Sequence, residues 1–246
     1  KVHAFTGSQQ ALAWYKLPWG DRIELNLSGS YSSSKPNESF SLNRNEYFKT
    51  GEKDLRNYYN DSRSNTYKIR GSFKYGIEIP YTKWTMLVGP KFKQTYQSVK
   101  GLKYRLDELG GDWISNPELM FATLPSNMEQ LSGVMDEDVS RSYQTMRKDT
   151  GAELEFQRNA PSSFLTLSLS LSKEKERINY HTSALDTIAK RSRMVFRPTF
   201  MYGCYDDKKS ISLTYYMQSQ MPDFFSIMPY RDNSNPLAVR VNNPDL

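Results

Sequence analysis

The sequence predicts an all-β chain, an antiparallel up-and-down sheet of about eight long strands. Three observations predict it. Apolar residues recur with period two in several long runs, short turn-forming tetrapeptides separate the runs in pairs, and long polar stretches separate one pair from the next.

Successive side chains of a strand point to opposite faces, so alternation sorts residues by face. From Thr66 to Ile79, the apolar face carries Tyr67, Ile69, Gly71, Phe73, Tyr75, Ile77 and Ile79. The other face carries Lys68, Arg70, Ser72, Lys74 and Glu78. From Arg22 to Ser34, Ile23, Leu25, Leu27, Gly29 and Tyr31 oppose Glu24, Asn26, Ser28 and Ser30. Leu165, Leu167, Leu169 and Leu171 alternate with Thr166, Ser168, Ser170 and Ser172. Met194, Phe196, Pro198, Phe200 and Tyr202 keep the same period, as do Ile211, Leu213, Tyr215 and Met217.

Tight turns pair these runs. Pro18–Asp21 separates a strand at Gln9–Leu17 from Arg22–Ser34, and Pro80–Lys83 joins Thr66–Ile79 to Trp84–Ser98. Ala160–Ser163 joins Ala152–Asn159 to Phe164–Lys173, and Asp206–Lys209 joins Arg191–Tyr205 to Ser210–Ser219. Each turn carries Pro, Gly, Asp or Ser, the residues that preset or permit a sharp reversal. Residues 35–65, 99–150 and 174–190 read instead as long polar loops, which in a compact domain mean function or disorder.

Short turns at one end and long loops at the other describe an outer-membrane barrel, with periplasmic turns and extracellular loops. Several runs reach the nine to eleven residues, roughly, that a tilted strand needs to cross a bilayer. Trp14, Tyr15 and Trp19, then Tyr75, Tyr81 and Trp84, then Tyr202 and Tyr205 gather beside short turns, as in an interfacial girdle. Hydrophobic residues make up 37% of the chain, and no stretch resembles a membrane-spanning helix. That low share suits a barrel, because lipid-facing and lumen-facing residues average out along each strand. The fold expected is therefore a transmembrane β-barrel segment, one domain over residues 1–246.

The last quarter of the chain adds a resemblance. Arg197-Pro198-Thr199-Phe200, the turn Asp206–Lys209 and the strand Ser210-Ile211-Ser212-Leu213-Thr214-Tyr215-Tyr216 come first. Asp232-Asn233-Ser234-Asn235-Pro236-Leu237 and Asn243-Pro244-Asp245-Leu246 follow. In that order the pieces resemble the outer-membrane β-barrel family of TonB-dependent receptors and their oligosaccharide- or peptide-importing relatives. Asn242 stands where that family usually has Gly. The resemblance implies a barrel of about 22 strands around a plug, with uptake powered by the TonB complex through that plug. It implies a Gram-negative outer membrane, surrounding lipid and an oligosaccharide, peptide or metal-chelate substrate, with a surface lipoprotein as a further partner. The polar opening Lys1-Val2-His3-Ala4 and the turn-like final residues fit an internal segment whose plug lies elsewhere.

The chemistry expected is binding and not catalysis. The net charge of +6 is spread without a basic tract, which argues against nucleic acid. His3 and His181 sit in no metal-binding or triad pattern. Asp136-Glu137-Asp138 lacks the ligand spacing of a calcium loop, and Gly110-Gly111-Asp112 lacks a phosphate loop's strand-to-helix setting. Cys204, in phase with Tyr202 and Phe200, reads as a wall residue. No catalytic residue, metal or cofactor is expected. The ligand-contact candidates are Asp112, Trp113 and Asn116, an aromatic platform beside hydrogen-bonding side chains on the 99–150 loop. A small self-contained barrel acting as an adhesin or anchor, and a soluble β-sandwich binding module, are the competing readings.

Overall fold

The structure, a computed structural model, describes residues 3–116, 118–137, 139–181, 186–206, 209–219, 222, 231–232 and 240–241. Its strands are β1 (His3–Lys16), β2 (Arg22–Glu46), β3 (Lys53–Glu78), β4 (Trp84–Arg105), β5 (Arg141–Ala160), β6 (Ser163–His181), β7 (Asp186–Asp206) and β8 (Lys209–Tyr216). They form one eight-stranded sheet in sequence order. Each strand pairs antiparallel with the next, so the chain is all-β and up-and-down, as expected. Among the described residues β1 and β8 keep one edge unpaired, which leaves the sheet open. β9 (Arg231–Asp232) and β10 (Arg240–Val241) form a separate small pair.

The short turns lie where the sequence puts them. Leu17 donates its N–H to the Asp21 carbonyl (2.7 Å), with Gly20 at φ +102° allowing the reversal. Ile79 donates to the Trp84 carbonyl (3.0 Å). Ala160 faces Ser163 across Pro161-Ser162, and Asp206 faces Lys209.

The long connections differ from expectation. β2 and β3 run through most of 35–65 and meet at a turn in which Tyr47 donates to the Glu52 carbonyl (2.8 Å). β6 and β7 likewise run through most of 174–190, and β4 and β5 occupy the two ends of 99–150. Among the described residues of these connections, those from 106 to 140 leave the sheet as a cap, with a one-turn helix, α1 (Asp112–Ser115), and a 3-10 turn at Met128–Val134. The reason is the ladder itself, which pairs backbones whatever the side chains. In Lys173-Glu174-Lys175-Glu176-Arg177 the alternation is of charge sign, not of polarity, so it does not read as a strand. β8 ends at Tyr216, short of the expected Ser219. The one register slip against β3 lies between Ser34 and Asn37, where Pro36 has no N–H to donate.

The sheet curls toward its polar face. Arg22 on β2 donates to Gln157 on β5 (3.2 Å), although three strand spacings, about 14 Å, separate their backbones. Lys74 on β3 passes over Gly89 to reach Glu153 and Glu155 on β5. A β-carbon at Gly89 would run into the Phe73 carbonyl and the Lys74 backbone, so β3 and β4 approach closely there only because the residue is glycine. No second layer covers this face among the described residues, yet Ser170, Ser172, Glu174 and Glu176 on it are buried.

The outward face is the reverse. Leu25, Ile69, Phe73, Val88, Phe92, Leu171, Phe196 and Leu213 share it by register, and all are exposed. A buried apolar cluster lies under the cap, where Tyr59, Leu106, Leu131 and Val134 pack with Phe40, Tyr104, Leu109, Trp113 and Leu124.

Candidate functional site

Parity decides which side chains reach the polar face. Counting along the ladders from Lys74, the inward positions are Glu24, Gly89, Glu153, Ser170 and Arg197. Two charge clusters result. Near the short turns, Lys74 pairs with Glu155 (2.6 Å) and Glu153 (3.6 Å), and Arg22 with Glu24 (2.9 Å). Gln157 and Ser168 complete it by donating to Glu155 and Glu153 at 2.6 and 2.8 Å.

Further toward the long hairpins, Glu174 takes Arg193 (2.9 Å) and Arg197, and Arg197 also reaches Asp149 (3.4 Å) and Ser172 (3.0 Å). Glu176 sits between Arg147 and Arg191, each at 2.6 Å. Carboxylates this buried need charged donors, because an unpaired buried charge costs several kcal/mol, roughly. Two described residues after β8, Ser219 and Pro222, meet the same cluster. Arg193 donates to the Ser219 carbonyl (2.9 Å) and Arg191 to the Pro222 carbonyl (2.6 Å).

Two polar clefts flank this cluster. One, of about 520 Å³, is lined by Lys93, Thr95, Arg147, Asp149, Glu174 and Ser219, among others. Its neighbour, of about 670 Å³, shares Lys93, Thr95 and Arg147 and extends to Gln10, Ser28 and Arg70. Both offer fixed hydrogen-bond donors and acceptors with water access, which suits passing or binding a polar solute. Among the described residues, no three His, Cys, Asp or Glu side chains are grouped to hold a metal ion. His181 lies at an exposed hairpin tip, 3.7 Å from Asp186. Cys204 is half-buried in the outward row with Ile211.

The residues expected to touch ligand lie in the cap, away from these clefts. Gly110 and Gly111, at φ +88° and +57°, turn the chain into α1. Asp112 and Asn116 are exposed at its two ends, whereas Trp113 is half-buried against the Tyr59 cluster. Trp113 therefore anchors the cap, with the two polar side chains beside it at the surface.

The cap is tied down by polar contacts as well. Tyr58 donates to Asp136 (3.2 Å), the Asn57 N–H to Asp107 (3.0 Å), and the Asp136 N–H to the Lys103 carbonyl (2.8 Å). Burial, with the Glu38 and Asp61 carboxylates nearby, pushes the Tyr59 hydroxyl up to about 12.

The inward Arg–Glu cluster escaped the sequence reading. Its signal was parity. Glu174 and Glu176 continue the even-numbered row of Ser168, Ser170 and Ser172, while Arg191, Arg193 and Arg197 share one parity on the next strand. No protein-family model matches the chain, and no curated protein matches it in sequence.

Proposed function

We propose that the chain is a segment of the wall of a TonB-dependent outer-membrane transporter. In this reading the outward apolar face meets lipid and the polar face lines the path of an imported nutrient. The slope of the apolar band carries the reading. Tyr67 on β3 shares its cross-strand row with Tyr96, Met146, Arg177 and Lys190. On β6 and β7 the last apolar cross-strand pair is Leu171 with Phe196, three rows lower. Three rows are about 20 Å along the strands, and four strand spacings are about 19 Å across them, a slope of about 45°. Strands crossing a bilayer tilt by about that angle. On β3 the band runs from Tyr67 to Ile77, about 33 Å of strand, which a tilt of about 40° foreshortens to about 25 Å, the height of a barrel's apolar belt.

Aromatic rows support the same placement. Tyr31, Tyr67 and Tyr96 stand side by side in one row, Tyr67 tilted against Tyr31 at 5.9 Å and stacked on Tyr96 at 5.2 Å between ring centres. Tyr15, Tyr75 and Trp84 stand near the short turns. A soluble sandwich would place a second sheet on the apolar face, and none lies there among the described residues. The unpaired edges of β1 and β8 suit an arc that continues with further strands. The fold, the polar lining and the resemblance at Arg197–Leu246 together favour import of an oligosaccharide, peptide or metal chelate over catalysis. The plug that engages TonB then lies in another part of the protein. Asp112 and Asn116 on the exposed cap are assigned first contact with substrate.

Single cysteines replacing Phe73 and Lys68 in intact membranes test the reading. A lipid-soluble reagent should label position 73 and a water-soluble one position 68. Labelling of position 73 by the water-soluble reagent alone would overturn it.

A further inference from the structure

The outward face holds a second feature, just above the apolar band on β5–β7. In Lys173-Glu174-Lys175-Glu176-Arg177 the acids point inward and the bases outward. Glu174 and Glu176 are consumed by Arg147, Arg191, Arg193 and Arg197 on the polar face. Lys148, Lys173, Lys175, Arg177 and Lys190 are left on the other side, all exposed. Among the described residues none of the five makes an ion pair, and Arg177 donates only to the Asn179 side chain (3.0 Å).

Two cross-strand pairs set like charges face to face, Lys148 opposite Lys175 and Arg177 opposite Lys190. Such pairs oppose folding unless something neutralises them. A cleft of about 320 Å³ opens between them, lined by Met146, Lys148, Lys175, Arg177, Lys190 and Ser192 and by Glu176 and Arg191, which pair with each other on the polar face. Leu171 and Met194 lie directly below, one outward step from Lys173 and Ser192. Cations at the upper limit of an apolar wall, with no acid of their own face beside them, match the level and charge of phosphate-bearing lipid headgroups.

We propose that this patch is a binding site for phosphate-bearing lipid headgroups of the leaflet on the long-hairpin side. The proposal rests on the reading of the outward band as lipid-facing. Lys148, Lys175, Arg177 and Lys190 grip the phosphate oxygens, and the acyl chains descend over Leu171, Met194 and Phe196.

The test uses the full-length protein in mild detergent, with native mass spectrometry counting retained phosphatidylglycerol and phosphatidylcholine of the same acyl chains. Phosphatidylglycerol should be kept preferentially. The combined variant Lys148→Gln, Lys175→Gln, Arg177→Gln and Lys190→Gln should lose that preference by about ten-fold or more, since each surface cation contributes measurably to anionic-lipid attraction. Phosphatidylcholine retention should not change. The milder Lys148→Gln should lose part of the preference, and Lys148→Arg should keep it, so a folding defect in the combined variant leaves the idea exposed to refutation. Equal retention of both lipids by the parent protein overturns the site. Displacement of the phosphatidylglycerol by inorganic phosphate at equal concentration overturns the lipid assignment in favour of a simple anion site. Failure of the protein to insert into pure phosphatidylcholine vesicles sinks the membrane reading itself, whereas insertion without lipid preference sinks this site alone.

Discussion

Tyr59 and Phe73 stand on the same face of the same strand, yet Tyr59 is 3% exposed and Phe73 is 42% exposed. Around Phe73 the sheet turns its apolar side outward and its charges inward. Around Tyr59 the cap folds over that apolar side and buries it. One continuous ladder thus carries a covered and an uncovered stretch of the same apolar face, with the change marked by the Tyr31–Tyr67–Tyr96 row. The difference teaches that outward exposure of Leu25, Ile69 and Phe73 is not a failure of packing. The same chain buries apolar groups fully where the cap covers them.

The sharpest way to break the comparison is to hollow the capped region. Leu106 is fully buried. Leu106→Ala should cost about 2–5 kcal/mol of local stability, the usual range for a large-to-small change in a core. Hydrogen exchange should speed up across residues 106–140 while β5–β8 remain protected. Loss of protection in β6 and β7 as well would mean that cap and wall fold as one unit.

The wall should respond to charge instead of to cavities. Leu169→Arg, on the outward face between Leu167 and Leu171, should cost about 2–4 kcal/mol if that position faces the middle of a bilayer. The same substitution at Ser28, which lines an inner cleft, should assemble nearly as well as the parent. Heat-modifiable gel mobility reads assembly in both. Equal tolerance of arginine at 28 and 169 would erase the distinction between the two faces.

A smaller effect separates anchoring from recognition inside the cap. Asp112→Ala with Asn116→Ala should weaken uptake several-fold and leave hydrogen exchange of residues 106–140 unchanged, because both side chains are exposed. Trp113→Ala should change both, since its ring packs on the Tyr59 cluster. Unaltered growth on the cognate nutrient after the double substitution would remove Asp112 and Asn116 from the uptake path.

The two regions also differ in how far they were legible. Wherever one face was apolar and the other polar, as at Ile23–Tyr31 or Leu165–Leu171, period two located the strand and its orientation. Where apolar residues are few and share their face with polar ones, as around Phe40 and Leu42 or around Leu55 and Tyr59, the amphipathic signal is too short to mark a strand while the backbone ladder continues. The inward charge clusters were hidden for a related reason. Their partners lie one to three strands apart, and only register brings Arg197 to Glu174 or Arg22 to Gln157. Trp113 was visible as an aromatic beside Asp112, but its packing depends on Leu131 and Val134, which no local spacing links to it.

The least disruptive comparison uses pH. The ordinary tyrosine hydroxyl titrates near about 10, and burial with Glu38 and Asp61 nearby pushes Tyr59 up to about 12. A folded pKa above the unfolded one means that the neutral hydroxyl is favoured in the folded cap. The stability linked to it is complete below about pH 10 and is lost as pH rises toward about 12. Burial also raises Tyr58 and Tyr104, in the same direction. The cap should therefore open within that alkaline window, followed by exposure of Trp113 fluorescence, while the wall stays assembled on gels. Tyr59→Phe removes the largest of the three contributions and should move the opening to higher pH with a shallower slope. An opening at unchanged pH and slope in Tyr59→Phe would exclude this hydroxyl as the trigger, and simultaneous loss of the wall would show that the two regions share one stability.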